Sequence, residues 1–144
     1  WTREFGDSKF CLTIRGDKPY SRSLWRAVQN GCVPVIVGDI LPYFAPIFRS
    51  QINMTDYAVI ISEVEFISNP AKALNEATNN LTDAELQRLF DGINLVQRLI
   101  DPYHPESLFV EAFCRETMAS QSQEYYMQPA FERIDSPIRP KRLM

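Results

Sequence analysis

One histidine, His104, is all this 144-residue chain carries, and its three cysteines, Cys11, Cys32 and Cys114, share no CxxC or Cys/His spacing. That inventory argues against a protein-only metal site and against a Ser-His or Cys-His nucleophile pair. Glycine is scarce as well, with five residues, and no Walker loop or GxGxxG occurs. Fifteen basic against eighteen acidic residues give a net charge of -3, and no basic cluster is interleaved with aromatics. The balance excludes an electrostatic nucleic-acid surface and identifies no ligand. Long apolar runs are missing too: stretches such as Val33–Val37 fall far short of the roughly 20 residues of a membrane span, so any leader or anchor is expected outside this segment.

What is present suffices for one ordinary core, with 45% apolar and 23% charged residues. The opening on Trp1 and the early strand-like run suggest a piece of a longer precursor, with a missing partner upstream. Phe10–Ile14 and Val33–Val37 are short continuous apolar runs bounded by Gly, Pro and Asp, the pattern of strands buried on both faces. Between them Ser21 can cap a helix with Leu24, Trp25, Ala27 and Val28 on one face, ended by Asn30-Gly31. Strand, helix and strand at this spacing predict a right-handed crossover between parallel strands.

Downstream, Pro42 and Pro46 punctuate an aromatic loop over residues 41–48, and a further strand is predicted over 57–62 with Val59 and Ile61 inward. Asn69 caps a helix opened by Pro70, whose missing N–H costs nothing at the first helical position. Thr82-x-x-Glu85 forms a capping box flanked by Leu81 and Leu86 in staple positions. It opens a long helix with Leu89, Phe90, Ile93, Val96, Leu99 and Ile100 apolar, ending before Asp101-Pro102. Pro105 is read as the start of another helix with Leu108, Phe109, Ala112 and Phe113 inward. From Ser120 the pattern fades into a Pro- and Arg-rich tail, expected to wrap over a neighbouring surface or to be disordered. The fold class is α/β, one domain over residues 1–119, with a mostly parallel sheet of three or four strands and helices gathered at the C-terminal end.

In open α/β sheets ligands bind beyond the carboxyl ends of parallel strands, where helix N-termini offer free N–H groups to anions. The segment 15–21 lies at that edge. Arg15, Ser21, Arg22 and the first N–H groups of the following helix form a reasonable diphosphate cradle, with Arg as bidentate donor. The plain alternative is an Arg15–Asp17 pair and an Arg22 on a solvated helix face. Cys11 and Cys32 sit in apolar strands, the setting of buried free thiols, with a Cys11–Cys32 bridge as the other option. Asn53-Met54-Thr55 and Asn80-Leu81-Thr82 match the N-glycan acceptor pattern.

The stretch containing "FCL" at 10–12, "RGD" at 15–17, Ser21-Arg22, Ala27, "GCVPVIVGD" at 31–39 and "LPY" at 41–43 resembles the exostosin family of glycosyltransferases. The match is good over about residues 8–67 and compatible in length and pattern to about Glu116. The resemblance implies a GT-B architecture of two Rossmann-like lobes, this chain covering most of the C-terminal, nucleotide-sugar-binding lobe. It also implies a type II membrane protein of the Golgi or endoplasmic reticulum lumen that transfers sugar from a UDP-sugar to a glycan or glycoprotein acceptor. The acceptor lobe would lie upstream of Trp1, and the RGD tripeptide would belong to the donor loop rather than to an adhesion motif.

By that resemblance Arg15, Gly16, Ser21 and Arg22 approach the diphosphate, while Gly31, Cys32 and Pro34 shape the turn into the next strand. Glu63 or Glu65 supplies an acceptor for ribose or sugar hydroxyls, with a salt-bridging surface glutamate as the alternative. Three positions depart from the family pattern: Ser23 where a second Arg is common, Arg26 where an acidic residue is common, and Ile14 where Pro is frequent. Arg26 either becomes a further phosphate ligand, with altered donor specificity, or marks a lobe that has lost activity and binds a partner or a glycan. A regulatory α/β domain binding phosphate-containing ligands is a third reading. In the enzyme reading no metal or cofactor is needed, because Arg15, Arg22 and helix N–H groups stabilise the leaving UDP. The general base comes from the missing lobe.

Overall fold

The computed structural model describes residues 2–16, 21–41 and 48–120. A short helix α1 (Thr2–Gly6) precedes β1 (Phe10–Ile14), α2 (Arg22–Gln29) and β2 (Val33–Val37). A 3-10 turn (Met54–Asp56) leads into β3 (Val59–Ile61), followed by α3 (Glu63–Ser68), α4 (Pro70–Asn79), α5 (Asp83–Ile100) and α6 (Phe109–Ala119). The tail from 121 on, the proline loop at 42–47 and Asp17 lie outside the described residues.

The strands form a parallel sheet in the order β1-β2-β3, with Phe10 opposite Val33, Val35 opposite Val59 and Val37 opposite Ile61. Alternation of side chains then divides the core into two layers. Ile36 joins Leu24 and Val28 of α2 and Leu89, Ile93, Val96 and Leu99 of α5. On the other face Val35, Val37 and Ile61 meet Phe66 of α3 and Ala73, Leu74 and Ala77 of α4. This is the helix-sheet-helix layering that keeps a parallel sheet dry on both sides.

Only β2 has that burial at every position. The sequence predicts the same for β1, and here the structure differs: Leu12 and Ile14 are 42% and 50% exposed. They share the face of Val35 and Val37, but α3 and α4 cover the sheet over β2 and β3 and leave the outer strand bare. Pro34 sits in the central strand, where proline normally deletes a ladder bond. Val33 N–H donates to the Lys9 carbonyl and Val37 accepts from Arg15 N–H, so the odd-numbered residues of β2 bond β1. Pro34 therefore faces the β3 side, where pairing begins one residue later, and its absent donor is not missed.

Helix boundaries follow local chemistry. Asn69 Oδ1 accepts from Lys72 N–H ahead of Pro70, and Thr82 and Glu85 close a reciprocal capping box, with Leu81 and Leu86 packed against the core. Gly31, at φ +73°, turns the chain out of α2 as only glycine does without strain. The predicted helix start at Pro105 is corrected to Phe109: Pro105 lies in a turn in which Ser107 N–H donates to the His104 carbonyl. Phe113, expected inside, is exposed, while Ala112 is buried. The predicted strand over 57–62 shortens to three residues, because Tyr57 and Ala58 complete the 3-10 turn and Ser62 already caps α3.

Cys11 and Cys32 are joined in a disulfide across a separation of 21 residues, which corrects the buried-thiol reading. Cys11 is the second residue of β1 and Cys32 directly precedes β2, so adjacent parallel strands bring the two within bridging reach. Cys114 is free and exposed.

Candidate functional site

Three charged residues stand at equivalent places, each within two residues of the end of a strand: Arg15 after β1, Asp39 after β2 and Glu63 after β3. Because the strands are parallel and in register, their carboxyl ends align and the three side chains meet. Arg15 N–H prolongs the β1–β2 ladder by one bond to the Val37 carbonyl, 3.1 Å. Gly38 lets the guanidinium stem cross the end of β2, since a Cβ at 38 would lie 3.3 Å from Arg15 Cβ.

Arg15 grips Glu63 with two parallel bonds: Nε donates to Oε1, and Nη2 donates to Oε2 at 3.1 Å. Asp39 and Glu63 add a reciprocal pair, Asp39 N–H to Glu63 Oε1 at 3.2 Å and Glu63 N–H to Asp39 Oδ1 at 3.1 Å. Bidentate geometry makes this the strong form of ion pair, although the side chains remain 40% and 23% exposed and water screens them. The Arg15 hydrogen bonds hold the Glu63 carboxyl below the usual carboxylate range, helped by the Asp39 N–H and opposed by partial burial. The same bonds raise the Arg15 guanidinium further. Three of about four acceptor positions on Glu63 are occupied, leaving one on Oε2 for a hydroxyl donor.

Arg22 occupies the first position of α2, exposed and with no ion pair among the described residues. Ser21 stands at the N-cap position without capping: its hydroxyl pairs with that of Ser23 at 2.5 Å, and the first turn contains no acidic residue. The expected cap is thus corrected, because two neighbouring hydroxyls satisfy each other. The positive end of α2 is left with a cation on it, an arrangement that attracts an anion.

The structure brings Arg15 and Glu63 together and keeps other candidates apart. Glu65, two residues on, is exposed on α3 and accepts neither Arg15 nor the Asp39 N–H; its own N–H donates to Ser62 Oγ. Arg26 lies in the last turn of α2, where a cation complements the helix dipole. Gly16 is exposed with open space around it. Gly31, Cys32 and Pro34 belong to the opposite, amino edge, as the turn, the bridge and the strand entry. Asn53 and Asn80 lie at turns, the first half-buried and the second exposed.

Sequence reasoning missed Asp39. Its signal was present: it follows an apolar strand by two residues, as Arg15 and Glu63 follow theirs within two. Among the described residues no helix is long and apolar enough to cross a membrane, and no three His, Cys, Asp or Glu side chains are grouped as a metal site.

Comparison with known proteins gives these features a family. The exostosin GT47 domain model matches residues 1–77, just over half of the chain and wider than the motif stretch itself. An exostosin-1 homolog of Caenorhabditis elegans is 30% identical over 95 residues, 58% of this chain and 24% of that protein. A protein of Arabidopsis thaliana named "Probable xyloglucan galactosyltransferase GT20" is 36% identical over 59 residues, 41% of this chain and 10% of that protein. The chain thus spans a quarter or less of the length of these relatives. The matched region holds β1, β2, β3 and every charged residue at their carboxyl ends, and the chain belongs to the exostosin GT47 family.

Proposed function

We propose that this chain supplies the donor-binding lobe of a glycosyltransferase, a Rossmann-like C-terminal lobe of GT-B type covering residues 1–119, and that its ligand is the diphosphate of a UDP-sugar. The observation that carries this reading is the start of α2. Arg22 sits on an N-terminus that Ser21 does not cap, next in sequence to the charged carboxyl edge of the sheet. Such an end is short of negative charge, and a diphosphate supplies it.

The roles divide accordingly. Arg22 and the first N–H groups of α2 take the phosphate oxygens and stabilise the charge that grows on UDP as the glycosidic bond breaks. Arg15 keeps its Nη1 donors for the ligand while Glu63 fixes its orientation, and the free lone pair of Glu63 accepts a ribose or sugar hydroxyl. Gly16 lets the ligand approach the backbone, Arg26 extends the basic face one turn along α2, and Glu65 stays outside the contact. The acceptor glycan and the general base that activates its hydroxyl belong to the rest of the polypeptide. The Cys11–Cys32 bridge fits an oxidising compartment, supporting a Golgi or endoplasmic reticulum lumen setting with any anchor upstream.

The test is a UDP titration of the full chain by saturation-transfer NMR, with circular dichroism to verify the fold. Wild type binds, and Arg22→Ala weakens binding about tenfold, the loss of one charge-assisted hydrogen bond of at least ~1.5 kcal/mol. A folded wild type that ignores UDP overturns the reading and leaves a non-catalytic partner- or glycan-binding lobe.

A further inference from the structure

We infer that Asn80 carries an N-linked glycan and that Asn53, which lies in the same sequence pattern, does not. The inference rests on the lumenal setting argued above and adds a modification site that donor binding does not use. Asn80 ends α4 and is exposed in the short turn before α5, with no side-chain hydrogen bond among the described residues. A sugar chain built on its Nδ2 displaces nothing. Thr82, the third residue of the pattern, returns to a structural task in the folded protein: its hydroxyl donates to Glu85 Oε2 at 2.7 Å and accepts from Glu85 N–H at 3.3 Å. One hydroxyl thus serves the transferase on the extended chain and the helix cap afterwards.

Asn53 is placed differently. It is half-buried between Ile52 and Met54, which are 5% and 0% exposed. Its N–H is held by Asp56 Oδ2 at 3.1 Å, and the Thr55 carbonyl accepts Arg88 Nη1 of α5 at 3.2 Å. This turn is clamped between the core and α5, and a bulky hydrated substituent conflicts with its closure. A chain glycosylated there folds poorly, so the secreted form lacks that glycan.

The donor is a lipid-linked diphosphate oligosaccharide. The Asn80 amide nitrogen forms a bond to the anomeric carbon of its first sugar, the carbon–oxygen bond to phosphate breaks, and the lipid diphosphate leaves with the electron pair. The amide proton passes to a base of the transferase, and nothing is oxidised or reduced.

The experiment directs the full chain into the secretory pathway of a eukaryotic cell with an appended signal. Intact mass is then measured before and after peptide-N-glycosidase. One enzyme-sensitive glycan is expected on wild type. It is lost in Asn80→Gln and in Thr82→Asn, which destroys the pattern but keeps a good N-cap, and it is retained in Asn53→Gln and Thr82→Ser. No glycan on the secreted wild type, a glycan surviving Asn80→Gln, or one lost in Asn53→Gln overturns the inference. The appended signal fixes the compartment, so a missing glycan refutes this site and not the UDP reading, while failure to bind UDP leaves the glycan result standing.

Discussion

The two edges of the one parallel sheet are built from opposite materials. At the amino edge the chain is locked: Cys11 is bridged to Cys32, Gly31 makes a left-handed turn, and the turn before β3 is pressed against α5. A Cβ on Gly92 would lie 2.0 Å from the Asp56 carbonyl oxygen and 3.1 Å from Tyr57 Cβ. At the carboxyl edge Arg15, Asp39 and Glu63 are joined by exchangeable hydrogen bonds, with no covalent tie among the described residues. A rigid edge holds the strands in register so that a solvated edge can present donors in fixed places. Damage to the first should therefore appear as lost stability, and damage to the second as lost binding.

The sharpest way to break that division is Gly92→Ala. Backbone atoms of α5 and the 3-10 turn would have to separate, a loss of more than about 3 kcal/mol at the top of the overpacking range, read as a lower urea midpoint. The disulfide comes next. Cys11→Ser with Cys32→Ser frees a loop of 21 residues and lowers stability by about 3 kcal/mol, and dithiothreitol reproduces this in wild type but adds nothing in the double variant.

A change of opposite sign sharpens the comparison. The Tyr57 hydroxyl is buried without a hydrogen-bond partner among the described residues, and burial pushes its pKa well up. Tyr57→Phe removes an unsatisfied polar group and is expected to raise stability by about 1 kcal/mol in thermal unfolding. The smallest effect belongs to the carboxyl edge. Glu63 has its folded-state pKa lowered below the ordinary 4.5, so the stability it contributes is complete above that value and fades as pH falls through the lowered one. In acid titrations Glu63→Gln flattens this part of the unfolding curve, since it lowers stability slightly at neutral pH and not in acid, and it weakens UDP binding less than Arg22→Ala does.

Elements that report their own boundaries were legible in the sequence. Thr82 with Glu85 and Asn69 with Pro70 announce helix starts through local chemistry, and Asn30-Gly31 announces an end. Helix α3 was overlooked although Ser62-x-x-Glu65 offers the same kind of signal, because its six residues are too few to show a period. The exposure of β1 could not be read from Leu12 and Ile14, since an apolar side chain does not say which helix will cover it. Arg15 and Glu63 were each singled out but not as partners: their 48-residue separation closes only through strand register. For the same reason the choice between Glu63 and Glu65 waited on the structure, as two residues of helix are enough to turn one carboxylate away.

The bare face of β1 has a practical side. Among the described residues β1 forms one margin of the sheet, with two aliphatic side chains and a row of backbone groups open to solvent. Such a margin is a template for a second strand, and purified protein held at high concentration will begin to self-associate there. A lysine in place of Leu12, whose side chain is exposed on the sheet face opposite Cys11, would keep the preparation monodisperse without altering what it binds.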